Sequence, residues 1–297
     1  MLSHCYLKEQ DWNKAIHYAD RALNSNPLNI DALQALMVAY RYTDQKEKAY
    51  AVKKRTEREI PLSHPLRYEE FLLNPDNDKD VFLCLVRSEM PWETCLELAE
   101  WYIEAGLYQE ALQLLDMTGE HPMAFYWKAF VLNKTGQSLA AKKVLEQTIA
   151  LSPAYIFPFR LMDQTALIWD RTQTDSWKTN YYLSLLYWHW GDKNNALSYM
   201  NNNDAADYAP LFISRSKLKS GEDRLTDLLQ AEKLEPSWRV GLELLNYHLA
   251  MGEYGEAVHT GARYMQKYPN NYILGLKYSK ALYSQVNMQK VYPCLND

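Results

Sequence analysis

Glycine is scarce in this chain, at 10 of 297 residues, about half the usual ~7%. Few positions are therefore free to take the positive φ that hairpin turns demand, and an all-β architecture is disfavoured. Cysteine is rarer still. Cys5, Cys84, Cys95 and Cys294 lie far apart with no C-x-x-C pair, which argues against a disulfide framework and for free, buried thiols. No long apolar run exists: the longest are of six residues, as in Val81 to Val86, and fall far short of the ~20 residues of a membrane-spanning helix. MLSHCYLKEQDW has neither a basic start nor an apolar stretch, so it is no secretory signal; with Met1 as the native start, a cytoplasmic location is expected. Positive charge is not in excess either. Lys plus Arg number 32 against 37 Asp plus Glu, a net charge of −5, so no field attracts a phosphate backbone and nucleic acid is not an expected partner. The basic cluster Lys53, Lys54 and Arg55 runs straight into Glu57 and Glu59 and reads as a solvated helix face.

What is present is hydrophobic material at helical spacing. Apolar residues make up 47% of the chain, enough for a sizeable core, and they recur as in Leu96, Ala99, Tyr102 and Ile103 or Leu183, Leu186 and Tyr187. Self-similarity organises these helices. Tyr6, Ala15 and Pro27 are repeated at a separation of 34 by Tyr40, Ala49 and Pro61. An aromatic followed four residues on by a turn residue and nine on by alanine returns at Tyr102, Gly106 and Ala111, and at Tyr187, Gly191 and Ala196. Weaker copies begin at Leu132 and His248, each closed by a proline, Pro153 and Pro269. The physical reasons differ from residue to residue. Glycine stops the first helix, alanine lets the second approach closely, and proline ends the unit. One such pair cannot bury both its apolar faces, so neighbours must stack.

In this spacing the chain resembles the tetratricopeptide repeat family, and AEWYIEAGLYQEALQLL at 99–115 carries the likeness most fully. The resemblance implies an all-α, right-handed superhelical solenoid of about eight stacked antiparallel helix pairs. The expected organisation is a single array over 1–297. It has two regular repeats in 1–61, a degenerate unit near 62–91 and two repeats in 92–153. An irregular helix follows within 154–176, then further repeats in 177–297, the last incomplete. RSEMPWETCLELAEWY, FPFR and PNNYILGLKYSKALY look more loosely like the C-terminal repeat arrays of large bacterial proteins of unknown function, which follow a β-rich, carbohydrate-associated domain. This chain contains no such region, and no sugar site can be transferred to it.

Chemistry is sparse. Neither G-x-G-x-x-G nor a P-loop occurs, the seven histidines show no H-E-x-x-H, and the S-x-x-K matches at Ser214 and Ser216 lack companion motifs. Glu93, Glu97 and Glu100 share one helix face and read as solvated acid. No catalytic residue, cofactor or metal is expected, and the chain is not read as an enzyme.

The aromatics, 13% of residues, are the richest feature, and most must be core. In the tetratricopeptide family the first helix of each unit lines a groove through fixed offsets from the repeat's aromatic. Carried over, these offsets mark Asp31, Gln34, Val38 and Arg41; Met123, Tyr126, Phe130 and Asn133; Lys178, Tyr181, Leu185 and Trp188; and Arg239, Leu242, Asn246 and Leu249. Tyr126, Phe130, Asn133, Tyr181, Trp188, Arg239 and Asn246 are the candidate binding residues. The function expected is a non-catalytic scaffold that binds a protein or peptide in this groove. The alternatives are the repeat tail of a larger carbohydrate-active protein, and self-association through uncapped ends.

Overall fold

A computed structural model describes residues 2–74, 79–86, 88–201, 203 and 205–291; Cys294 lies outside them. Among the described residues every regular element is an α-helix, and none is long and apolar enough to cross a membrane. The chain divides into two compact units, 1–174 and 175–297, the division falling at the end of the irregular 154–176 segment. The first unit contains α1 (Leu2–Lys8), α2 (Trp12–Ser25), α3 (Ile30–Tyr42), α4 (Lys46–Thr56), α5 (His64–Leu73) and α6 (Lys79–Leu85). It continues with α7 (Pro91–Glu104), α8 (Tyr108–Leu115), α9 (Pro122–Lys134), α10 (Ser138–Ala150) and α11 (Leu161–Asp170). The second contains α12 (Trp177–His189), α13 (Lys193–Asn201), α14 (Ala209–Leu218), α15 (Gly221–Leu234), α16 (Trp238–Met251), α17 (Tyr254–Lys267) and α18 (Tyr272–Val291).

Consecutive helices pair through short turns, and in the first unit the leading helix of each pair packs on the next, α1 on α3, α3 on α5 and α5 on α7. α9 meets α11 in the same way, so α11 occupies the place of a leading helix. It has no second helix of its own, because α12 opens the next unit seven residues later. The degenerate 62–91 segment holds a shortened pair, α5 and α6. Among the described residues the final repeat is a single helix that runs through Tyr283 without a break.

Six turns share one hydrogen-bond scheme. The N–H groups of Asp11, Gln45, Leu107, Gln137, Asp192 and Glu253 donate at 2.8–2.9 Å to the carbonyls of Tyr6, Tyr40, Tyr102, Leu132, Tyr187 and His248. The residue before each donor bonds to the carbonyl after the repeat's aromatic position, closing the double bond pattern of a Schellman cap. That cap needs a left-handed residue. Gly106, Gly136, Gly191 and Gly252 supply it at φ of 72–83°, whereas the first two repeats hold Gln10 and Asp44 there, at 58° and 56°. The alanines that follow, Ala15, Ala49, Ala111, Ala141, Ala196 and Ala257, are all buried, as close helix approach requires.

In the second unit two glycines permit closer contact still. Gly241 on α16 lies under the ring of Tyr264 on α17, and Gly261 on α17 under that of Tyr278 on α18, where a methyl group would overlap the ring.

Buried charge ties several helices of the first unit together. Arg41 on α3 donates through Nε and Nη2 to Glu69 on α5, at 2.9 and 3.3 Å, and its Nη1 lies 3.0 Å from Glu110 on α8. Tyr102 donates to Glu69, Tyr42 to Glu110, and Tyr68 to the Glu110 carbonyl. In the second unit Arg215 holds Asp227 at 2.7–3.0 Å through Nε and Nη2. Cys95 is buried, and burial pushes its thiol up to about 11; Cys5 and Cys84 are free and exposed, not buried as expected.

Candidate functional site

The groove offsets place Tyr126, Phe130 and Asn133 on α9 of the first unit. Tyr181 and Trp188 stand on α12, and Arg239 and Asn246 on α16, both of the second unit. Three of these rings are packed away from solvent. Tyr126 is buried in α9, and Phe130 is buried with Trp169 of α11 set edge-on against it at 5.9 Å. Tyr181 is buried with Tyr208 edge-on at 5.8 Å, and burial pushes its hydroxyl up to about 12. Asn133 is half-buried and accepts a 3.3 Å bond from the Ser138 hydroxyl. Trp188 and Asn246 are half-buried, and Arg239 is exposed with its guanidinium 4.7 Å from the Trp238 ring centre.

An open apolar surface lies elsewhere in the first unit. A cleft of about 580 Å³ is walled by the starts of α7 and α9 and by the segment 154–163. Residues 154–160 of that segment are irregular because Pro153 and Pro158 deny them helical hydrogen bonds. Its end is fixed by Asp163, whose Oδ2 accepts from the N–H groups of Phe159 and Arg160, both at 2.9 Å, while Oδ1 accepts from Trp127 Nε1 at 3.0 Å. Burial raises the Asp163 carboxyl above its ordinary value against the lowering effect of these donors.

Large apolar side chains stand out from this anchored segment. Tyr155 is 87% exposed, Phe157 70%, Phe159 47% and Leu161 70%. Leaving one such side chain in water forgoes about 1.5–3 kcal/mol of burial. Tyr155 also sits at φ 63°, a left-handed conformation that costs an L-residue about 1–2 kcal/mol. Trp92, Leu96 and Met123 form the apolar floor, with the His121 ring stacked 6.0 Å from Trp92. Burial holds that imidazole below its ordinary value, so it is neutral at neutral pH.

The charge in the cleft is unevenly used. Arg160, its side chain 8% exposed, lies 2.7 Å from Glu93, 3.7 Å from Glu97 and 3.9 Å from Glu100. The Glu93 contact is close without hydrogen-bond alignment. The guanidinium is also stacked 4.1 Å from the Phe159 ring centre. The Glu97 side chain remains 68% exposed. The three glutamates read from sequence as a solvated face are thus grouped around one buried cation.

Sequence reasoning passed over this cleft, although a signal was present. Counting nine, six and two residues back from Tyr102, the offsets applied to other repeats, reaches Glu93, Leu96 and Glu100. What no offset indicates is the arginine opposite them, because it comes from the irregular segment.

No family model matches the chain, and no curated protein matches it in sequence. Solved structures with similar helix arrays include Cut9 with Hcn1 from an APC/C hetero-tetramer, at 12% identity and TM-score 0.36. There 91% of this chain is covered and 52% of the other, so this chain spans about half that length. A tetratricopeptide repeat protein from Parabacteroides merdae ATCC 43184 matches at 12% identity and TM-score 0.29, covering 94% of this chain and 96% of that one. The P58(IPK) TPR domain matches at 14% identity and TM-score 0.24, covering 94% and 86%. The chain's own helix pairs, Schellman turns and buried alanines define its class: an all-helical array of repeated antiparallel helix pairs.

Proposed function

We propose that this chain is a non-catalytic scaffold that binds a protein or peptide segment in the cleft of its first unit. The observation that carries the reading is the set of exposed Tyr155, Phe157, Phe159 and Leu161 side chains, held beside a cleft of about 580 Å³ by a segment anchored through Asp163. Aromatic side chains on a fixed backbone make strong anchors at little entropic cost. The cleft is of the size that encloses a few side chains of a ligand. Selection of a displayed random heptapeptide library on the chain tests this. Enriched peptides are expected to bind the native protein and to fail on a Tyr155→Ser, Phe157→Ser variant whose circular dichroism is unchanged; binding that survives the double change rejects the site.

Trp188, Arg239 and Asn246 of the second unit and Asn133 of the first remain candidate contacts for a ligand. A second reading, the repeat tail of a larger carbohydrate-active protein, is favoured by the same exposed rings, on which sugars stack; glycan binding abolished by the double variant would support it, and the full-length reading frame would decide it. Self-association is read separately, by sedimentation over a concentration series.

A further inference from the structure

We infer that the segment bound in this cleft carries lysine or arginine beside an aromatic or aliphatic residue. Its cation would sit at Glu97 and Glu93, and its apolar neighbour against Phe157 and Trp92. The inference rests on the cleft being a peptide site and deepens that reading by naming the chemistry of the occupant.

Negative charge is left over in the cleft. Three carboxylates line it, Glu93, Glu97 and Asp163, against a single guanidinium, Arg160, and His121 is neutral. Asp163 is saturated by two backbone N–H groups and the Trp127 indole. Arg160 is committed to Glu93 and covered by Phe159, so it offers an incoming anion almost no surface. Glu97 is only loosely paired, 3.7 Å from Arg160, and reaches into solvent at the mouth. An occupant that covers Glu97 without bringing a cation strips it of water uncompensated. One that brings a carboxylate adds repulsion, and an anionic lipid surface or nucleic acid meets the same obstacle. A lysine or arginine satisfies Glu97 and completes Glu93, and its stem or guanidinium packs on the adjoining Trp92 face. The exposed rings of Tyr155 and Phe157 then require apolar side chains next to that cation.

The heptapeptide selection tests this when its winners are resynthesised with each lysine or arginine changed to glutamine. Enriched peptides are expected to contain a basic residue adjacent to Phe, Tyr, Trp or Leu. The glutamine versions should bind about two- to fivefold more weakly, the size of one partly exposed ion pair. Glu97→Gln, a change at an exposed side chain, should weaken the basic peptide by a similar factor and leave its glutamine version unaffected. Peptides that need Phe157 but carry no basic residue, or that tolerate glutamine, would overturn the charge inference and leave the cleft standing. Absence of enrichment, or binding indifferent to Phe157→Ser, would overturn the cleft reading itself.

Discussion

Replacing Gly136 by alanine isolates one physical quantity. Gly136 occupies φ 79° in the turn between α9 and α10, and an added Cβ would meet no atom within 4 Å, so steric overlap plays no part. The left-handed conformation costs an L-residue about 1–2 kcal/mol, while alanine restricts the unfolded chain and returns about 0.4–1 kcal/mol. The net expectation is a loss of about 1 kcal/mol, or roughly a fivefold shift in the opening equilibrium of the turn. Hydrogen exchange at the Gln137 amide, which donates at 2.9 Å to Leu132, should quicken by that factor. A local probe is preferable because repeat arrays unfold with limited cooperativity. The reciprocal change, Asp44→Gly, relieves the same strain at φ 56° and should be neutral to slightly stabilising. A neutral Gly136→Ala together with a destabilising Asp44→Gly would refute the turn assignment.

Gly241→Ala should destabilise the second unit by about 1–3 kcal/mol through overlap with the Tyr264 ring, despite alanine's ~1 kcal/mol advantage in a helix; a gain in urea midpoint would mean that α16 and α17 are not so close. Arg41→Met leaves Glu69 and Glu110 buried without their cation and should cost about 3–5 kcal/mol, whereas a loss below ~1 kcal/mol by urea titration would show the network to be hydrated. Burial raises the Tyr181 hydroxyl to about 12 from the usual 10.0, and partial desolvation together with the bond to Glu110 raises that of Tyr42 to about 12 as well. The native state then binds more protons than the unfolded state between those values, so its stability is complete below about pH 10 and falls as pH rises towards 12. Tyrosinate absorbance should lag that of an unfolded control over this window, and superimposable curves would contradict the burial.

The repeats were legible because their turns and contacts are local: glycine four residues after an aromatic, and alanine five further on, encode the cap and the close approach in one short stretch. Gln10 and Asp44 show the limit of that code, since a neighbouring fold can hold a non-glycine residue left-handed. The groove was less legible. Offsets place Tyr126 and Phe130 on one face of α9, but only the packing of α11 decides that Trp169 covers Phe130. The glutamates of α7 are periodic and visible in sequence; their cation belongs to a segment without periodicity, so the pairing emerges only in three dimensions.

The binding site itself is tested most directly by calorimetric titration of the best enriched basic heptapeptide against the native chain, Phe157→Ser and Trp188→Ser. Loss of binding in Phe157→Ser with an unchanged constant in Trp188→Ser is the predicted result; the reverse pattern would move the site to the second unit and contradict the account.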